Sequence, residues 1–183
     1  MRLQIKHLVF LTALILLFAC TKETSQDIQD ENQDAPDEVF FDFVTQETDS
    51  GRAKWKLTAP KASKFNTKNL VVLEKPVIRF FDEEGKLQTT LTSDNGELYK
   101  ESQDMLAYGH VLVRSVSGDF LETDSLYWMD AKSKIRSDSF VKLTRGNDIV
   151  TGIGMECNYK LSAVKIKKNI QATIIDEGNE INE

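Results

Sequence analysis

The side chains able to do chemistry are few and far apart along the chain. His110 follows Gly109 in a strand-like run, and the other histidine, His7, lies in the apolar N-terminus. A histidine base works only with a nucleophile or second acid held within reach. The sequence pairs His110 with neither, so it reads as a polar residue at a strand turn. Asp94, Asp124 and Asp138 each follow a Ser or Thr at matching positions, a pattern that suits side-chain capping of turns more than an acid/base pair. Cys157, in Met155-Glu156-Cys157-Asn158-Tyr159, reads as a small core residue. No cysteine-histidine cluster has metal spacing. Gly152 and Gly154 flank Ile153 with no helix after them, which suits a bulge or tight bend and not a phosphate loop. The expectation is a protein that is not an enzyme and takes no metal or cofactor.

These residues sit within a pattern written three times between Ser93 and Thr173. The first copy opens at Ser93-Asp94-Asn95-Gly96 and reaches Gly109-His110-Val111-Leu112-Val113; the second opens at Thr123-Asp124-Ser125-Leu126 and reaches Ser139-Phe140-Val141-Lys142-Leu143. Asp94 and Asp124 are 30 apart, as are Val111 and Val141, and a weaker third copy opens at Gly152-Ile153-Gly154-Met155, with Gly154 30 beyond Asp124, and ends near Asn169-Ile170-Gln171. Each copy reads as strand, turn, strand, a unit that buries its apolar face only by stacking on the next.

Before the repeats, Trp55, Leu57 and Ala59 alternate with Lys54, Lys56 and Thr58, the mark of a half-buried strand. Further strands are expected over Val39–Val44, Ala53–Pro60, Asn69–Glu74 and Pro76–Phe81, with Lys61–Phe65 pairing back on the second of these. Asp82-Glu83-Glu84-Gly85 is expected as a hairpin loop. Within the repeats the strand-sized runs are Glu97–Lys100, Met105–Val116, Phe120–Met129, Lys134–Ser137, Phe140–Thr144, Ile149–Ile153, Met155–Tyr159, Val164–Ile166 and Ile170–Ile175. No amphipathic helix comes after Ala19. The fold class is all-β: an antiparallel sandwich of stacked hairpins.

The N-terminus carries an address. Arg2 and Lys6 precede an apolar run from Leu8 to Ala19, shorter than the roughly 20 residues a spanning helix needs. The form is that of a signal peptide over residues 1–19. Its end, Leu17-Phe18-Ala19-Cys20, is similar to a bacterial lipobox, which makes Cys20 the expected lipid-attachment site. Residues 20–38 are acidic and lack aromatics, the composition of a flexible tether reaching about 20–25 Å. The β domain is expected at 39–176 and a polar tail at 177–183.

Loss of the first segment removes Arg2 and Lys6 and no acid, leaving 21 bases against 29 acids, a formal charge of −8. Such a surface excludes nucleic acid, where phosphate neutralisation supplies most of the affinity.

Leu106-Ala107-Tyr108-Gly109-His110-Val111-Leu112-Val113, then Thr123-Asp124-Ser125-Leu126 and Ser137-Asp138-Ser139-Phe140-Val141, resemble the lipopolysaccharide-export family LptC. Trp55-Lys56-Leu57-Thr58-Ala59 and Pro76-Val77-Ile78-Arg79-Phe80-Phe81-Asp82 fall where that family has its preceding strands. The resemblance spans roughly Val39 to Ile175 and rests on order and spacing. It implies a twisted, open β-jellyroll shared with the periplasmic bridge protein LptA. It also implies a place at the inner membrane, facing the periplasm, receiving lipopolysaccharide from an ABC transporter complex of LptB, LptF and LptG and passing it to LptA. Better-known members carry an N-terminal helix as anchor; the lipobox is a departure.

A lipid with several acyl chains crosses water only if those chains are shielded, since burial contributes about 25 cal/mol per Å². An apolar trough between incompletely packed sheets would do this. Its expected lining is Trp55, Leu57, Phe80, Leu91, Leu106, Val111, Val113, Leu126, Trp128, Ile135, Val141 and Leu143, residues that equally suit an ordinary core. Partner strands would add at sheet edges. By resemblance the bridge meets the C-terminal edge around Val164, Ile166, Ile170 and Ile174, and the transporter meets the strands from Val39 to Leu57. Lys165, Lys167 and Lys168 suit either lipid phosphates or protection of the edge. The other reading is an envelope scaffold with a sealed sandwich that binds no lipid.

Overall fold

The computed structural model describes residues 35–174. The chain divides into two units, Met1–Asp34 and Ala35–Glu183, and every described residue belongs to the second. The signal peptide, Cys20, most of the tether and the 177–183 tail therefore lie outside the described residues.

Among the described residues, eleven antiparallel strands form one hydrogen-bonded sheet. They are β1 (Glu38–Asp49), β2 (Arg52–Phe65), β3 (Leu70–Glu74), β4 (Val77–Phe81), β5 (Leu87–Thr92), β6 (Asn95–Tyr99), β7 (Met105–Ser115), β8 (Phe120–Met129), β9 (Lys134–Arg145), β10 (Asp148–Asn158) and β11 (Lys165–Thr173). The long strands β2 and β7 each serve two partners on one side. Trp55–Thr58 of β2 pairs with β4, and Lys61–Phe65 pairs with β3. On β7, residues 112–115 pair with β5 and residues 105–108 with β6. Because β4 pairs with β5 and β3 with β6, the sheet parts into two branches and rejoins. The branches face each other as two layers around one core.

Each long strand crosses from one layer to the other at a single bend, and the bends lie side by side. Lys75 donates its N–H to the Asp94 carbonyl, and Asp94 donates to that of Gly109, both at 2.8 Å. From there the line continues through the interruptions between Thr123 and Tyr127 of β8 and between Ile153 and Met155 of β10. Asp94, Gly109, Asp124, Ser139, Gly154 and Asn169 stand 15 residues apart, half the 30-residue repeat. Gly109 has φ of 76°, where a side chain would be strained, and a Cβ there would also sit 2.9 Å from the Asp94 carboxylate.

Bending breaks the ladder, and the backbone groups it frees must find other partners. The Ser and Thr residues provide them. Thr123 Oγ1 donates to the Phe140 carbonyl at 2.8 Å, Ser93 Oγ donates to that of Asn95, and Ser137 Oγ accepts the Ser139 N–H. The capping expected of Asp94, Asp124 and Asp138 thus belongs to the residues before them, which point inward, while the carboxylates of Asp94 and Asp138 are exposed.

Runs expected as separate strands prove to be the two halves of one bent strand. Ala53–Pro60 and Lys61–Phe65 are both β2, and the second half pairs with β3 instead of turning back. The same holds for the paired runs in β9, β10 and β11. The breaks in composition mark bends and not reversals. Thr123→Val keeps the shape of the bend but orphans the Phe140 carbonyl; urea unfolding should show a loss of about 1–3 kcal/mol.

Candidate functional site

The inner faces of both layers merge in a single apolar cluster that runs from β2 to the loop after β10. Trp55 and Leu57 enter it from β2, Phe80 from β4, Leu91 from β5, Val111 and Val113 from β7, Leu126 and Trp128 from β8, and Ile135, Val141 and Leu143 from β9. All eleven are buried, Leu143 being the most exposed at 6%. The trough expected between the layers is therefore filled with side chains in this conformation.

Leu106 is a correction. It points to the outer face of β7 beside Tyr127, while Met105 and Ala107 point inward. Odd-numbered residues of β7 face inward on both sides of the bulge, Met105 and Ala107 before it and Val111 and Val113 after it, so Leu106 has the opposite parity and only its hydrophobicity suggested an inward place. In β8 the phase does shift, and the inward set passes from Leu121 and Thr123 to Leu126 and Trp128 across the bend. Tyr159 and Leu161, which also belong to the interior, lie on the turn after β10 and continue the inward alternation of Met155 and Cys157.

Opposite the line of bends the layers have an open side, where the hairpin ends come together. Polar bonds bridge it. Lys54 Nζ lies 2.8 Å from Asp130 Oδ1, Thr89 Oγ1 donates to the Tyr159 carbonyl at 2.6 Å, and Arg145 donates to the Leu161 carbonyl at 2.8 Å. The Phe80 and Trp128 rings meet at 4.9 Å across the layers. Beside them is a cavity of about 430 Å³ walled by Phe80, Trp128, Tyr159, Lys54 and Arg52. That volume lies in the range of small-ligand sites.

Among the described residues, β1 pairs only with β2 and β11 only with β10, so both ends of the sheet present unpaired backbone. Each carries exposed apolar groups: Phe41 on β1 is 74% exposed, as is Ile174 just after β11, and Ile170 is also exposed. Val164 and Ile166 are half-buried against the core, so the expected edge set is split between inside and outside. Lys167 reaches back to Asp138 at 3.1 Å, which ties one of the three edge lysines to β9.

His110 sits on the outer side of the bend with Nδ1 2.5 Å from Asp94 Oδ2, and that hydrogen bond raises its pKa above the ordinary value. Cys157 is buried, and desolvation pushes its thiol up to about 12, far from a reactive thiolate. Gly154 is the residue left out where β10 slips against β9, and Gly152 the one left out where it slips against β11.

A family model described as "Lipopolysaccharide-assembly, LptC-related" matches residues 7–176. Among solved structures, the chain is similar to LptH from Pseudomonas aeruginosa, described as the LptA homologous periplasmic component of the conserved lipopolysaccharide transport device. The identity is 11% and the TM-score 0.52, over 66% of this chain and 94% of that one, a likeness of fold. No curated protein matches the sequence.

The histidine pair has a pH signature. A pKa raised in the folded state means that its stabilisation is fully present below about 6.5 and is lost as pH rises through the folded value. His110→Gln should therefore lower the urea midpoint relative to wild type at pH 5.5 and leave it unchanged at pH 9. An equal loss at both pH values would show that protonation plays no part.

Proposed function

The chain belongs to the LptC-related lipopolysaccharide-assembly family, and from that premise we propose that it receives lipopolysaccharide from an inner-membrane ABC transporter and passes it to a periplasmic bridge protein of its own fold. The observation that carries this reading is one apolar interior, without a break, between two sheet ends that each have a free strand edge. An added strand at β1 or β11 would continue the sheet and bring the partner's interior into line with this one. Acyl chains would lie between the layers, where each buried methylene contributes about 0.8 kcal/mol, and the sugar and phosphate head would stay outside along the open side.

Loading requires the open side to part. The Lys54–Asp130 ion pair there is partly exposed, and ion pairs in contact with solvent contribute about 0–1 kcal/mol each, while Thr89, which bonds to the Tyr159 carbonyl, is buried. The bends opposite are tied by continuous backbone. Separation at the clasp, with the line of bends as the hinge, is the motion of least cost. Anchoring through a lipidated Cys20 would hold the domain near the inner membrane while leaving it free to meet both partners.

The filled interior favours a second reading, an envelope scaffold that uses its edges for protein partners alone. Photo-crosslinking amino acids at Trp55, Val111 and Trp128 separate the two in cells: adducts with lipopolysaccharide support the conduit, and their absence at all three sites supports the scaffold. A covalent clasp tests the motion. With Lys54→Cys and Asp130→Cys bridged by a short crosslinker that carries a cleavable disulfide, the adduct at Val111 should disappear, and reductive cleavage of the bridge should restore it.

A further inference from the structure

Segment 159–164 joins β10 to β11 and dips into the interior instead of passing over it. Leu161 is fully buried, at 0% exposure, although it lies in a turn between two exposed neighbours. Its φ is 56°, a left-handed conformation that a branched side chain rarely takes and that costs energy to hold. Local bonds shape the turn. Leu161 donates its N–H to the Asn158 carbonyl, and Ser162 donates to Asn158 Oδ1 at 3.1 Å.

Two further bonds hold the segment from elsewhere. Buried Thr89 of β5 donates to the Tyr159 carbonyl, and Arg145 at the end of β9 donates to the Leu161 carbonyl while also binding Asp119 at 2.9 Å. The Tyr159 ring stacks on Phe80 at 6.3 Å and meets Trp128 edge-on at 6.5 Å, so it sits where the two layers come together. The cavity of about 430 Å³ opens directly beside it. On its C-terminal side the segment leads into β11, an edge strand exposed along nearly all its length and, among the described residues, paired only with β10.

We infer that segment 159–164 is a removable plug: Tyr159 and Leu161 occupy the space between the layers that an acyl chain would take, and they withdraw when the adjoining β11 edge is engaged by a partner strand. This rests on the conduit reading above and adds its regulation. A strained turn held by side-chain bonds, beside a strand with little buried apolar surface, is the kind of region that opens locally while the rest stays folded. A plug that is mostly closed reduces apparent affinity for lipid in proportion to the open fraction, so releasing it raises loading without any new contact. Filling the interior with protein when no partner is present also keeps lipid from entering a dead end.

The experiment uses the full-length, membrane-anchored chain with a photo-crosslinking amino acid at Val111, purified lipopolysaccharide as the probe, and amide hydrogen exchange as a second readout. Thr89→Val keeps its shape and loses the bond to the Tyr159 carbonyl; Leu161→Gly empties the plug and relieves the strained turn. Both should speed exchange at 159–164, leave β2, β4 and β8 protected, and raise the lipopolysaccharide adduct several-fold over wild type. Faster exchange with an unchanged adduct would overturn the plug while the wild-type adduct keeps the conduit. Unchanged exchange in Thr89→Val would also overturn it, since the bond would not be holding the segment. No adduct in wild type or either variant would sink the conduit reading itself, and the plug with it.

Discussion

The structure depends on one constraint: every long strand must cross from one layer to the other without leaving a buried backbone group unpaired. A straight strand would meet the constraint and give a flat sheet with no interior. A bent strand makes an interior and loses ladder bonds at the bend. The chain resolves this conflict with residues of permissive backbone at the bends and Ser or Thr facing inward beside them. Thr123, Ser93 and Ser137 are buried polar residues in an otherwise apolar face, and their hydroxyls restore what the bend removes. Among the described residues no buried side-chain nitrogen or oxygen lacks a partner.

That line of bends gives the molecule two unequal sides. One is closed by continuous chain, and opening it would mean breaking backbone ladders. The other is closed by long side chains and one turn, with Lys54, Arg145 and Thr89 reaching across. The asymmetry gives the molecule a direction in which it can yield. A closed barrel would have no such side, and an open sheet would expose its apolar face at all times. The fold sits between these and keeps its apolar face dry behind a side closed only by side chains and one turn.

Much of the fold was legible in the sequence because the repeat carries it. The 30-residue spacing, the turn compositions and the alternation around Trp55 and Val111 are local features, and each maps onto a strand pair. The halves of β2, β9, β10 and β11 read as separate strands because a bend and a reversal use the same residue types, and only pairing partners distinguish them. Burial was legible where strict alternation was followed, and Leu106, an even-numbered residue in a strand whose odd-numbered residues face inward throughout, was misplaced because its hydrophobicity outweighed the alternation. Tyr159 and Leu161 keep the parity of Met155 and Cys157, but that the turn carrying them is drawn inward depends on contacts with Phe80, Thr89 and Arg145, distant in sequence. Whether any interior residue touches lipid is a question of chemistry outside the chain, which no pattern of its own residues encodes.

The 15-residue step between Asp94, Gly109, Asp124, Ser139, Gly154 and Asn169 makes the molecule's reach come in fixed increments. Each step adds one strand width, about 4.8 Å, and each hairpin roughly 10 Å. Duplicating or deleting a hairpin therefore lengthens or shortens the molecule while its cross-section and both terminal edges stay the same. A lineage needing to span a wider or narrower gap could do so by whole hairpins, with no redesign of the interior.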